Sequence, residues 1–218
     1  MGFTPKQHFP ITAEPVLITY RLAGSVPKVI LEDRIRIRNA ELAKLEIQIE
    51  NARTGAGKRK LLDFRFKIFA EHELAIEKVL HEIKTGPFYL NLPEVRKIVI
   101  DSWMSLHQRG RIYLIALCVM GNHVHVIVKA PEGMEQVAVD KLMKSHKGFT
   151  ARKANEHLDK TFNAFWSDTY HDRRIRSKRF TSAIWYVLNN PVKAGLVERW
   201  MDWPGTFVDP EYVALFLE

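Results

Sequence analysis

The sequence predicts an α+β fold: a ferredoxin-like split βαβ antiparallel sheet with helices on one face, interrupted by a long helical hairpin at about residues 31–84. Three observations carry that expectation. With the hairpin set aside, the periodicity runs strand, helix, strand, strand, helix, strand. The hairpin shows heptad-spaced apolar residues on both sides of a turn signal. The two central strands are joined by Gly121 and Asn122 alone, a glycine-containing link suited to a β-hairpin. At 218 residues, the chain reads as one domain spanning 1–218 with the hairpin inserted.

Each element has its own signal. "PVLITYRLAG" (residues 15–24) is rich in β-branched and aromatic residues and closes on glycine, so it reads as the first strand. Leu31, Ile35, Leu42, Leu45 and Ile49 then fall on a heptad seam, with Arg38 in one slot. Leu62, Phe66, Phe69, Ile76, Leu80 and Ile83 repeat it, with Glu73 as the odd member, and "RTGAGK" (residues 53–58) is the turn between. "LPEVRKIVIDSWMSLHQR" (residues 92–109) is a third helix, with Pro93 suited to its first turn. Strands at residues 111–120 and 123–130 follow, then a basic amphipathic helix at 134–158. A short strand near residues 170–175 precedes a helix at 179–190, which the sequence Asn190-Pro191 ends because the residue before proline avoids helical geometry.

Charge and composition narrow the function classes. The formal net charge of +8 favours a polyanionic partner, nucleic acid before an acidic membrane surface. Much of the positive charge lies in "KLMKSHKGFTARK" (residues 141–153) and "HDRRIRSKR" (residues 171–179). Apolar runs stop far short of the ~20 residues needed to span a bilayer, and the N-terminus lacks the basic-then-apolar pattern of a signal peptide. The lone Cys118 rules out an internal disulfide and a cysteine zinc cluster, so a cytoplasmic protein with no membrane partner is expected.

Two segments carry the chemistry. In "VMGNHVHVIVKA" (residues 119–130), His123 and His125 are two apart on a strand, so they share one face, with Val124 and Val126 on the other. Paired imidazoles on a rigid strand form half of a metal site, or they are simply the polar face of a strand; the pair alone leaves both readings open. In "YVLNNPVKAGLV" (residues 186–197), Tyr186 and Asn190 are four apart and share a helical face. A half-buried tyrosine followed by a capping asparagine would explain that spacing without any chemistry.

Taken together the two segments resemble a known family. "GNHVHVIV" is similar to the His-hydrophobic-His motif of the HUH nucleases. "YVLNNPVKAGLV", followed by Trp203 and Pro204, resembles the C-terminal signature of the REP-associated tyrosine transposases, relatives of the single-tyrosine transposases of small insertion sequences. The resemblance covers most of the chain outside the hairpin; family members often carry proline where Gly121 stands, a difference that affects the turn. It implies an HUH transposase-like catalytic domain that binds single-stranded or hairpin DNA and cleaves beside a palindrome. Tyr186 would be the nucleophile, forming a 5′-phosphotyrosine link. His123, His125 and the Asn190 carbonyl oxygen would hold a divalent ion, Mg2+ by resemblance, with Mn2+ compatible with the two nitrogen donors.

Other residues are candidates of lower rank. Lys144, Lys147, Arg152 and Lys153, and further on Arg173, Arg174 and Arg176, could contact phosphates. Asp168, His171 and Asp172 could lie near the site without an assignable role, and Tyr170 is the rival nucleophile. Two other functions use the same residues: a DNA-binding module of this fold that does not cut, and a metal-dependent phosphodiesterase that uses water and leaves Tyr186 structural. One nucleophile per chain is compatible with a monomer or a homodimer.

Overall fold

In the computed structural model, residues 8, 10–160 and 164–217 are described, so most of the N-terminal stretch read for a targeting signal lies outside them. Five antiparallel strands form one sheet: β1 (Val16–Leu22), β2 (Tyr113–Val119), β3 (His123–Lys129), β4 (Trp166–Arg174) and β5 (Thr206–Val208). The order β4-β1-β3-β2-β5 contains the split βαβ arrangement, extended by β5 at one edge. Among the described residues, seven α-helices accompany it: α1 (Lys28–Glu50), α2 (Gly55–Glu82), α3 (Pro93–Gln108), α4 (Val139–His157), α5 (Phe180–Leu188), α6 (Asn190–Lys193) and α7 (Pro210–Val213). The chain divides into two compact units, residues 24–86 and the remainder.

In the sheet unit the expected helices α3 and α4 share one face. Val95, Val99 and Trp103 of α3, with Leu142 and Met143 of α4, bury against Ile18, Tyr20, Val124 and Val126. The opposite face is covered too. Ala183, Ile184, Val187 and Leu188 of α5 join Ile115, Cys118 and Ile127 in a second core, so α5 stands on the other side from the crossover helices. The physical reason lies in β2 and β3. β2 is buried from Leu114 through Val119 and β3 from His123 through Val128, and a strand buried on both faces needs a layer on each.

Two boundaries differ from expectation. β4 begins at Trp166, four residues before Tyr170, because the Trp166 ring is a core member beside Tyr20. β5, three residues long, gives no periodic signal, and is held by register with β2 and by Val119 N–H donating to the Gly205 carbonyl at 2.8 Å. Gly205 is required by this approach: a Cβ there would lie 2.3 Å from the Val119 oxygen.

The other unit is the helical hairpin. Thr54 caps α2 by accepting from Gly57 N–H at 3.1 Å, which turns the chain after α1. On α1 the heptad residues Leu31, Ile35, Arg38, Leu42, Leu45 and Ile49 are all withdrawn from solvent, Leu45 most completely. On the first half of α2 the seam is shifted by one residue. Ile68 is buried and Leu61 and Arg65 half-buried, while Leu62 and Phe66 are exposed. The two off-pattern seam members answer each other. Glu73 acts on the half-buried Arg38, whose guanidinium lies 5.8 Å from the Phe69 ring centre, and burial pushes the Arg38 pKa down while Glu73 opposes that shift.

Candidate active site

The strand register builds the site. Across the sheet one row runs His171 (β4), Thr19 (β1), His125 (β3), Cys118 (β2) and Thr206 (β5). His123 and His125 lie on this face, fully buried, with their rings 4.9 Å apart and nearly perpendicular. α5 closes over it and sets the Tyr186 ring 5.6 Å from that of His125, at 80°. Tyr186 itself is half-buried. One turn on, where Pro191 breaks the helix, the fully buried Asn190 turns its amide back and Nδ2 donates to the Tyr186 carbonyl at 2.8 Å. The four residues singled out in the sequence are therefore carried by β3, α5 and the first residue of α6.

Each imidazole is oriented through Nδ1. The Asn122 side-chain Oδ1 lies 2.6 Å from His123 Nδ1 and accepts from it, which makes Nε2 the lone-pair nitrogen. His125 Nδ1 meets the Thr19 hydroxyl at 3.0 Å. Asn122 and Thr19 were not visible as site residues in the sequence. Asn122 reads as a turn residue, and Thr19 reaches His125 only through the pairing of β1 with β3. Lys193 is a third addition: its Nζ sits 4.7 Å from the centre of the Tyr186 ring.

The donor chemistry fits a divalent ion. Asn190 Oδ1 is buried and makes no hydrogen bond, a state that costs about 1–3 kcal/mol unless a ligand or cation takes the lone pairs. With the two imidazoles, each held at Nδ1, it would make up a mixed nitrogen and oxygen donor set. Among the described residues no group of three or more His, Cys, Asp or Glu side chains is placed to hold a metal.

The remaining candidates fall on different surfaces. By strand alternation, His171 and Arg173 share the face of His125, whereas Tyr170, Asp172 and Arg174 point to the face of α3 and α4. Tyr170 donates to Asp140 and stacks on His8 with ring centres 4.2 Å apart; burial, then the Asp140 carboxylate, push its pKa up. Asp172 pairs with His8, and Arg174 lies 3.7 Å from Glu14. Lys144, Lys147, Arg152 and Lys153 all ride on α4, across the sheet from the histidines. Arg152 and Lys153 pair with Glu156. Lys147 Nζ donates to the Ser167 carbonyl at 2.6 Å and burial pushes its pKa down. A cavity of about 420 Å³ lies beside it, lined in part by Lys144, Asp168 and Trp166, so Asp168 also belongs to the α4 side. Arg176 follows the end of β4 and is exposed.

Residues 90–190 match the family described as "Transposase IS200 like". In this segment the chain is similar to the IS200-like transposases. The segment contains both histidines, Tyr186 and, as its final residue, Asn190. A protein of Haemophilus influenzae that carries the name REP-associated tyrosine transposase is 28% identical over 98 residues, which cover 41% of this chain. The match spans 55% of that relative's length. A solved structure described as a REP-associated tyrosine transposase bound to a REP hairpin superposes with a TM-score of 0.50. It has 13% identity and covers 94% of this chain and 82% of that one, a likeness of fold. Among the described residues no helix is long and apolar enough to cross a membrane.

Proposed function

We propose that the chain is an IS200-like transposase that cuts and rejoins single-stranded DNA beside a hairpin, with Tyr186 as the nucleophile and the sheet unit as its catalytic unit. The observation that carries the reading is the approach of Tyr186 to His125, with Asn190 fixed one helical turn away. The Tyr186 phenolic oxygen attacks the scissile phosphorus, and the bond to the 3′ oxygen breaks. The phenol loses its proton and the departing strand gains one as its 3′-hydroxyl, leaving a 5′-phosphotyrosine. Rejoining reverses this: a 3′-hydroxyl attacks the phosphotyrosine and restores the phenol, so no external energy source is needed.

His123 Nε2, His125 Nε2 and Asn190 Oδ1 would hold Mg2+ or Mn2+, which when bound polarises the phosphate. The chain's own residues do the rest. Asn122 and Thr19 hold the imidazoles, and Asn190 ties the donor set to the helix that carries Tyr186. Lys193 and Arg173 add positive charge where a phosphate would sit. The hairpin-bound neighbour supports a folded single strand as substrate.

The test is incubation with an end-labelled hairpin oligonucleotide drawn from the source genome, with Mg2+ or EDTA. A Mg2+-dependent adduct that survives denaturing electrophoresis, mapped to Tyr186 by peptide mass, is the expected result. Cleaved ends with no adduct would assign the chemistry to water, and binding without cleavage would leave a DNA-binding module.

A further inference from the structure

The helical hairpin lies outside the matched family segment, and its charge is not evenly spread. Between residues 53 and 67, around the turn where α1 hands over to α2, six cations (Arg53, Lys58, Arg59, Lys60, Arg65 and Lys67) face one carboxylate, Asp63. The rest of the unit, residues 24–52 and 68–86, carries seven cations against nine carboxylates. The base of the arm is neutralised in the usual way. Lys28 pairs with Glu32, Arg36 with Asp33, and Lys78 with Glu82. At the tip only Lys67 is paired, with Glu71, and among the described residues Arg53, Lys58, Arg59, Lys60 and Arg65 make no salt bridge. All of the six but Arg65 are exposed.

Stability does not explain this arrangement. Lys58, Arg59 and Lys60 crowd the first two turns of α2, which has no acidic residue in its first turn, so they oppose the helix dipole and one another. Among them stand Phe64 and Phe66, 51% and 64% exposed, with Lys67 Nζ 5.4 Å from the Phe64 ring centre. Phe66 shares a helical side with the exposed Leu62 while Phe64 emerges on another, and cations stand between them. The exposed apolar groups are thus split between sides of the helix, unlike the single apolar face that a lipid surface requires. Cations that follow a backbone, interleaved with aromatic rings, are what a nucleic acid strand recognises. α2 is about 42 Å long at 1.5 Å per residue, so the tip is held well away from the arm's own base.

We propose that the tip of the hairpin, residues 53–67, is a second DNA-binding surface, gripping phosphates through its unpaired cations and stacking bases on Phe64 and Phe66. The choice of DNA among polyanions rests on the reading of the chain as a DNA-cutting enzyme.

The test compares the full chain with Lys58→Gln/Arg59→Gln/Lys60→Gln, and with a control carrying the same charge change at the base, Lys28→Gln/Lys78→Gln/Lys84→Gln. Fluorescence anisotropy reads the affinity for a long mixed-sequence oligonucleotide, single-stranded and annealed, over a range of salt. Three lost phosphate contacts should lower the slope of log affinity against log salt by about 2–3 and weaken binding roughly tenfold or more at moderate salt. The base control should keep the parent slope, and Arg53→Gln/Lys67→Gln should lower it by a smaller step. Circular dichroism checks that α1 and α2 persist in each variant. A parent that binds with an unchanged slope in both tip variants overturns the inference alone, as does an equal loss in the base control. A parent that binds neither form of DNA overturns the DNA-cutting reading as well. Tip-dependent binding to phosphatidylglycerol vesicles without binding to DNA would assign the tip to a membrane instead.

Discussion

Asn190 Nδ2 donates to the carbonyl of Tyr186 at 2.8 Å, and that bond settles which end of the amide is left for a ligand. Because the nitrogen is spent on the helix, the oxygen remains as the acceptor, buried and without a hydrogen bond. The turn from α5 into α6 thereby presents an oxygen acceptor four residues after the candidate nucleophile.

Asn190→Ala tests this arrangement by separating stability from activity. The substitution loses one hydrogen bond, about 0.5–1.5 kcal/mol, and opens a small void, but it also removes an acceptor whose burial costs about 1–3 kcal/mol. Thermal stability should stay within about 1 kcal/mol of the parent, while half-maximal cleavage should need several-fold more Mg2+. His123→Ala and His125→Ala should abolish cleavage and leave DNA affinity nearly intact, since basic side chains supply most of it. Full cleavage by the double histidine variant would remove the metal assignment.

Asn122 and Thr19 act through the imidazoles, and their loss should register in metal affinity. Asn122→Ala frees His123 Nδ1 to exchange tautomers, and Thr19→Val removes the partner of His125 at constant shape. Removing an orienting partner of this kind weakens metal binding by about 10–100-fold. Mn2+ titration of the full chain followed by electron paramagnetic resonance should show that weakening with the fold intact. Parent-like Mn2+ affinity in both variants would make these contacts merely structural.

A buried network on the other face predicts a pH dependence of stability. Tyr20 hydroxyl and Ser102 hydroxyl engage the two nitrogens of His146 at 2.7 and 2.9 Å, and Trp103 Nε1 donates to Tyr20. Burial, then Lys147, push the His146 pKa down to about 3. The folded state therefore holds this histidine neutral where an unfolded chain would protonate it, near pH 6.5. Its contribution is complete above pH 6.5 and is lost as pH falls toward 3, by up to about 1.4 kcal/mol per pH unit. Urea unfolding at pH 7, 6 and 5 should show midpoints falling with pH. His146→Gln, less stable at pH 7, should show a flatter profile; an equally steep one would place the titration elsewhere.

The sequence made the strands, the crossover helices and the four site residues legible because each depends on short-range spacing. What it concealed depends on pairing or on layers. The sequence reading put helices on one face only, and it is the folded chain that shows β2 buried on both faces with α5 filling the second. The seam of α2 was misplaced at Leu62 and Phe66 because each neighbours another seam-compatible position, and the frame taken up sets the polar Arg65 and His72 inward. The cations of α4 and β4 look alike in sequence, but the sheet separates Lys144 and Lys147 from Arg173 and the histidines.

The choice of nucleophile lies between two tyrosines that the sheet holds on opposite faces. Tyr170 packs on the face of α3 and α4, its hydroxyl committed to Asp140, and both burial and that carboxylate oppose its ionisation. Tyr186 packs on the other face against His125, with Lys193 Nζ 4.7 Å from its ring centre. Tyr186→Phe keeps the ring and its packing, so the fold, the DNA affinity and Mn2+ binding should all persist, while the covalent adduct disappears. Tyr170→Phe removes one hydrogen bond and should cost about 0.5–1.5 kcal/mol of stability with adduct formation unchanged. The two variants are compared by adduct yield on denaturing gels and by unfolding midpoints. An adduct that survives Tyr186→Phe and vanishes with Tyr170→Phe would move the chemistry to the opposite face of the sheet, away from both histidines.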